Sequence, residues 1–331
     1  MCRTYNGYDI NGLGQLKDGR GNIAPITIIM PTLAMEALEE YENQVYELDA
    51  DYHDDEVELR VNIFLEILDK AIHEAKDQLI ERFEYICSQN PKSATFMYEN
   101  GLMAGYDGKN IRSALKHGTL AVGSIGLAET LQILIGTDHT TPEGMKVAKQ
   151  IYGLFKKRCS EFKEYYKLNF GVYFSPAENL SFTSMQKFKS KYGVIENVSD
   201  KEFFTNSVHV PVWKKMTPFE KIDIEAELAN YSSAGNIVYV ELDSTVKNNI
   251  EALEIIVNYA MDKDIPYFAI NVPNDSCTEC GYCDEIGNEC PICGCKNIKR
   301  LRRVTGYLTN DYKTAFNPGK QQEVEMRVKH Q

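Results

Sequence analysis

Three things are scarce in this chain of 331 residues: long apolar runs, basic charge and linker-like sequence. The most apolar stretch, Leu120 to Gly136, contains Glu129 and several glycines. A bilayer crossing needs about 20 consecutive apolar residues, so no membrane span is expected. Lys and Arg number 36 against 48 Asp and Glu, a net charge of −12. Affinity for nucleic-acid backbones comes from clustered cations, so a general nucleic-acid binder is excluded. The first residues show neither a charged leader nor an apolar segment behind one, which leads us to expect a cytoplasmic location. No internal repeat or proline-rich tract interrupts the sequence, and its length suits about two domains with a sizeable core. The acidic patch from Asp49 to Glu58 lacks the spacing and central Gly of a calcium loop and reads as a solvated face.

What is present is periodic. Pro25 to Ile29 reads as a strand and Leu33 to Leu48 as a helix. Val57, Val61, Phe64, Leu68, Ala75, Leu79 and Phe83 recur every three or four residues, predicting one long amphipathic helix over 54–87. Cys87 and Cys159 read as core, His53 and His73 as surface. From residue 165 onward apolar strands alternate with helices: strands at 170–174, 237–242 and 267–270, with a helix over 250–261 between the last two. That is α/β organisation, in which loops at strand C-termini carry the chemistry. Ser175-Pro176-Ala177-Glu178-Asn179 falls in such a loop, where Ser175 and Glu178 also fit a helix capping box. His209, before Val210-Pro211-Val212, is expected on a strand as a hydrogen-bonded structural residue.

Cysteine is concentrated. Six of the nine fall between Cys277 and Cys295. Cys277-x-x-Cys280 and Cys290-x-x-Cys293 form two knuckles, each with a following Gly (Gly281, Gly294) to relieve the turn, the spacing of a four-sulfur tetrahedral zinc site. Cys283 and Cys295 keep the ligand choice open by one neighbour. Disulfides do not suit a chain read as intracellular. The basic stretch Lys296 to Arg303 follows, with an internal or substrate-facing role competing against a solvated one.

Next comes Arg303-Val304-Thr305-Gly306-Tyr307-Leu308. Loss of hydrogen from a glycine Cα leaves an electron shared with the flanking amides, and only a residue without Cβ flattens freely. Gly306 is therefore a candidate radical store, although a Gly before Tyr also serves simply as a turn.

Taken together, these motifs resemble the anaerobic (class III) ribonucleoside-triphosphate reductases, which are glycyl-radical enzymes. The likeness runs through the zinc knuckles, the Arg-Val-Thr-Gly-Tyr-Leu loop and the tail from Phe316 to Val324. It also takes in Cys2-Arg3-Thr4, Gly19 to Ile23, Ser175 to Ser181 and Thr205 to Val212. It covers essentially the whole chain but only the C-terminal half of the usual enzyme.

The resemblance implies the C-terminal half of a ten-stranded α/β barrel over 1–270, zinc knuckles over 271–300 and the glycyl-radical loop and tail over 301–331. It implies Gly306 as radical store, Cys2 as thiyl and Asn22 as the residue that positions formate. Ser175, Ala177, Glu178, Asn179 and Ser181 would bind the substrate triphosphate, and Cys277, Cys280, Cys290 and Cys293 would hold Zn2+. The implied partners are ribonucleoside triphosphates, formate, a radical activating enzyme using S-adenosylmethionine and an iron–sulfur cluster, and a complementary N-terminal half or a homodimer. Another glycyl-radical enzyme and a non-catalytic, radical-bearing spare subunit are the alternatives.

Overall fold

The computed structural model describes residues 4–48, 56–304 and 306–330; Cys2 and His53 lie outside the described residues. Two compact units emerge, one of residues 4–175 with 230–236 and the other of 176–229 with 237–330. The expected boundary at residue 270 falls inside the second.

In the first unit the order is β1 (Asn22–Ile29), α1 (Met30–Leu48), α2 (Glu56–Cys87), α3 (Thr95–Glu99), α4 (Ile111–Leu115), β2 (Thr119–Ile125), α5 (Leu127–Ile135), α6 (Pro142–Tyr166) and β3 (Asn169–Tyr173). The three strands form a parallel sheet in the order β1-β2-β3, with Thr27 beside Gly123 and Gly123 beside Tyr173. All seven residues of β2 are buried, as a central parallel strand covered on both faces requires. Gly126, in the left-handed region at φ 78°, ends this strand and starts α5. A Cβ there would run into the Pro31 ring.

The long helix forms as its periodicity predicts. Val61, Phe64, Leu68, Ile72, Ala75, Leu79 and Phe83 are buried, whereas Val57, the second residue of the helix, is exposed. Arg158 of α6 fixes the neighbouring helix by a two-pronged bond to Asp69, at 2.6 and 2.7 Å. Cys159 is buried as expected; Cys87 is only half-buried. His73 is exposed.

The α/β pattern does not begin near residue 165, because β1 and β2 already belong to the sheet. A strand buried on both faces shows no alternation, and its apolar run passes straight into α5, so periodicity hides the boundary.

Ahead of β1, a buried carboxylate helps to tie down the segment from residue 4 to 20, along with Tyr5, Asn11 and Arg20. Asp9, almost fully buried, meets His117 Nδ1 at 2.8 Å and accepts from the Asn169 amide at 2.6 Å and the Leu13 N–H at 2.9 Å. Burial alone would raise its pKa, but the bonds from Asn169, Leu13 and His117 hold it at about 2.

The second unit contains α7 (Asn179–Tyr192), α8 (Pro218–Ala229), β4 (Val238–Glu241), α9 (Ile250–Asp262), β5 (Phe268–Asn271), β6 (Asn274–Cys277), β7 (Cys283–Asp284), β8 (Ile298–Val304), β9 (Tyr307–Thr309), α10 (Tyr312–Ala315) and α11 (Pro318–Met326). Here the expected strands and helix appear: β4 and β5 are parallel, joined through α9. Ile222 of α8, Val238 and Val240 of β4, and Ile256 and Ala260 of α9 share one apolar core. An antiparallel sheet of order β7-β6-β8-β9 follows. No helix among the described residues is long and apolar enough to cross a membrane.

Two measurements check this packing. Leu68→Ala should cost about 2–5 kcal/mol in denaturant unfolding, as a fully buried truncation does, while Val57→Ala stays within about 0.5 kcal/mol. Asp9 has a depressed folded pKa, so its contribution is present above about pH 4 and lost as pH falls toward about 2. Asp9→Asn should therefore lower stability at pH 7 and flatten the acid limb between those values; an unchanged limb contradicts the assignment.

Candidate metal centre and glycine hairpin

The knuckle cysteines converge. Their four sulfurs lie within 4.8 Å of one another, with Cys277 to Cys293 at 3.5 Å and Cys280 to Cys290 at 3.6 Å. Four sulfurs about 2.3 Å from a central ion stand about 3.8 Å apart, whereas a disulfide closes to about 2.05 Å. The spacing suits a tetrahedral metal. Each knuckle turns through a Gly in the left-handed region: the Gly281 N–H donates to the Cys277 carbonyl at 3.1 Å and that of Gly294 to Cys290 at 2.9 Å. Backbone N–H groups of Cys280 and Glu279 draw the Cys277 thiol down to about 6. At Cys293 the Cys295 N–H opposes a rise to about 12 that burial and the adjoining sulfurs drive. Four thiolates cannot share this space without a cation between them. Cys283 and Cys295 stand outside the cluster, in hydrogen bonds to the Gly281 carbonyl and the Asn297 N–H.

A buried carboxylate joins the knuckles to the strand beyond. Asp275 of β6 has no exposed side-chain surface and accepts from Arg300 at 3.0 Å, Arg302 at 2.5 Å and the Ile286 N–H at 3.1 Å. The basic stretch is thus turned inward at two arginines, which settles the question that its sequence left open. β8 then runs to Gly306, which is exposed at the turn between the paired residues Val304 and Tyr307. The base of this hairpin is seated among Val304, Tyr307, Tyr312, Phe316 and Val324.

The expected triphosphate turn has unusual geometry. Ala177 and Glu178 are consecutive residues in the left-handed region, at φ 52° and 45°, a cost that proteins retain mainly at functional sites. α7 starts at Asn179, and Glu178 precedes it without a side-chain cap. The capping box expected from Ser175 and Glu178 therefore does not form, because the two left-handed residues break the path it needs. Ser175 instead accepts from the Thr27 hydroxyl at 3.1 Å in the first unit. Ser181 donates to the Glu178 carbonyl at 3.0 Å, and Asn179 accepts from Asn317 at 2.8 Å.

Asn22 opens β1 in the first unit, and both polar atoms of its side chain are buried without a hydrogen-bond partner among the described residues. Such an amide is costly unless a ligand or water completes it. His209 is a hydrogen-bonded structural residue, 3.2 Å from Glu225, but it lies in an irregular segment rather than a strand. Glu225 satisfies that segment by also accepting from the Val210 N–H at 3.0 Å. Burial would raise the Glu225 carboxyl, yet Lys221 and His209 hold it at about 2.

Sequence reasoning missed the inward-facing charges of the tail. Lys320 is fully buried and pairs with Glu323 at 2.7 Å; Arg327 reaches Glu241 at 3.2 Å; His330 accepts from the Glu241 N–H at 2.9 Å. Nothing in Gly-Lys-Gln-Gln-Glu-Val-Glu-Met-Arg-Val-Lys-His alternates in a way that signals burial.

A family profile described as anaerobic ribonucleoside-triphosphate reductase matches residues 1–330. The Escherichia coli (strain K12) anaerobic ribonucleoside-triphosphate reductase is 32% identical over 347 residues, covering 99% of this chain and 45% of its own length. The protein of the same name from Enterobacteria phage T4 is 30% identical, covering all of this chain and 52% of its own. The chain spans about half the length of the curated relatives it matches. Among solved structures, an anaerobic ribonucleotide reductase superposes with a TM-score of 0.72 at 23% identity over 95% of this chain and 46% of that one. The Thermotoga maritima enzyme solved in complex with dATP and CTP gives 0.62 at 20% identity, over 99% and 48%. These likenesses extend from the first residues to the tail, and the chain belongs to the anaerobic ribonucleoside-triphosphate reductase family.

Proposed function

We propose that this chain carries the radical half of an enzyme that reduces ribonucleoside triphosphates to 2′-deoxyribonucleoside triphosphates without oxygen. The observation that carries the reading is the placement of Gly306 at an exposed hairpin tip whose strand β8 also pairs with the cysteine-bearing strand β6. An exposed tip suits attack by a second protein, and a metal-braced base suits a residue that must return to one position.

In this reading Cys277, Cys280, Cys290 and Cys293 hold Zn2+, which supplies rigidity rather than chemistry. An activating enzyme using S-adenosylmethionine and an iron–sulfur cluster removes hydrogen from Gly306. The stored radical then oxidises Cys2 to a thiyl, which takes hydrogen from the ribose C3′ so that the 2′-hydroxyl leaves as water. Formate, positioned by the unpartnered Asn22 amide, supplies two electrons and departs as carbon dioxide. Ser175, Ala177, Glu178, Asn179 and Ser181 receive the triphosphate, for which hydroxyls and backbone N–H groups at a helix start are suited. Residues 1–270 form the C-terminal half of a ten-stranded α/β barrel, 271–300 a zinc-ribbon appendix and 301–331 the radical loop and tail. A complementary N-terminal half or a homodimer partner completes the barrel, and the location is the cytoplasm.

Metal analysis of protein purified without chelators should find about one zinc per chain. Cys280→Ser or Cys293→Ser should release it and Cys283→Ser should retain it; zinc-free native protein would remove the site. After anaerobic activation, electron-spin resonance should show a doublet split by the one hydrogen left on Gly306 Cα. Gly306→Ala should abolish the doublet, since a Cβ hinders planarity, and a signal that survives that change would sink the radical assignment.

A further inference from the structure

We propose that Arg327 is the positioning residue that fixes the glycine hairpin, an inference that rests on Gly306 being the radical store. Its guanidinium donates through Nη1 to the Arg303 carbonyl at 2.8 Å and to Glu241 Oε2 at 3.2 Å. The Arg303 carbonyl is three residues before Gly306. Glu241 ends β4 and is itself held by the Asn271 amide at 2.8 Å. Arg327 thus links the hairpin's supporting strand to the end of a core strand.

The backbone around Arg327 is pinned on both sides, so the guanidinium has a defined origin. Upstream, Asn317 caps α11 through the Lys320 N–H at 2.9 Å, and Gln322 accepts from the Glu202 N–H at 2.6 Å. With its amide turned to satisfy both neighbours, Asn206 accepts from Lys320 at 3.1 Å and donates to the Pro176 carbonyl. Downstream, the Val328 N–H donates to the Val212 carbonyl at 2.9 Å and the His330 N–H to the Glu241 carbonyl at 2.8 Å. The tail therefore touches the turn before α7, the segment around His209 and the glycine hairpin in one pass.

The ladders to β6 and β9 align β8; Arg327 adds a directed bond between β4 and the hairpin. Its apolar seat attracts without specifying an angle, because hydrophobic contact is non-directional. Hydrogen transfer between a glycine Cα and a partner slows by about a hundredfold when reacting atoms are misplaced by about 1 Å. One nitrogen that meets a carbonyl and a carboxylate together sets both distance and rotation, and the rigid planar group that carries it fixes its place where the flexible stem of a lysine does not.

Hydrogen–deuterium exchange on the full chain tests this, comparing wild type with Arg327→Met and Arg327→Lys. Both variants should keep their metal, and exchange over residues 303–309 should rise about tenfold or more while α9 and β4 stay at wild-type rates. After activation both should give a smaller Gly306 doublet per chain. Unchanged hairpin exchange, full restoration of protection by lysine, or an equal rise across α9 and β4 would each overturn the proposal. The exchange result stands whether or not wild type yields a doublet, so failure of the radical reading is told apart from failure of the positioning role.

Discussion

The second unit depends on a carboxylate that has no contact with water. Asp275 lies on the strand that leads into Cys277 and faces Arg300 and Arg302 of the strand that leads to Gly306. A buried charge with one partner removed is strongly destabilising, since the remaining ion keeps its desolvation cost. Here a single carboxylate answers two arginines and a backbone N–H, so β6 and β8 cannot slide past each other without orphaning at least one charge. Arg300 reaches onward to the Ile286 and Gly287 carbonyls at 2.7 and 2.6 Å, carrying the constraint into the loop between the knuckles. Cysteine cluster and glycine hairpin are in this sense one structural object.

The same logic recurs with other residues. Glu225 gathers Lys221, His209 and the Val210 N–H; Asp9 gathers His117, Asn169 and Leu13 in the first unit. Each anchors a segment without regular structure, where apolar packing alone would leave the backbone path loosely specified. Networks of this kind favour one arrangement when every member is satisfied. The exceptions then stand out. The orphaned amide of Asn22 and the left-handed pair Ala177 and Glu178 are local costs that the surrounding packing tolerates, and both fall on residues that the family resemblance assigns to ligands.

Legibility in the sequence followed the physics of each signal. The cysteine spacing encodes ligand geometry directly, so the four-sulfur cluster was readable, whereas the exclusion of Cys283 and Cys295 needed the turns themselves. α2 was readable because one face is buried and the other is wet; β4, β5 and α9 because short apolar runs are separated by polar turns. β2 was not, because burial on both faces erases alternation. The inward charges of the tail escaped for the opposite reason: Lys320, Glu323 and Arg327 are residue types that normally face solvent, and only their mutual pairing makes burial tolerable. The turn at Ala177 and Glu178 was also hidden, since neither residue type favours the left-handed region.

Gly306, rather than any other residue, is the proposed store of the radical. Mass mapping after the activated chain is exposed to air tests it most directly, because oxygen adds to an exposed carbon radical and the peroxyl collapses with backbone cleavage. A new terminus at Gly306 and release of the Tyr307 to Gln331 fragment are expected. Cleavage at another position, or an intact chain after its organic radical has been quenched by oxygen, would contradict it.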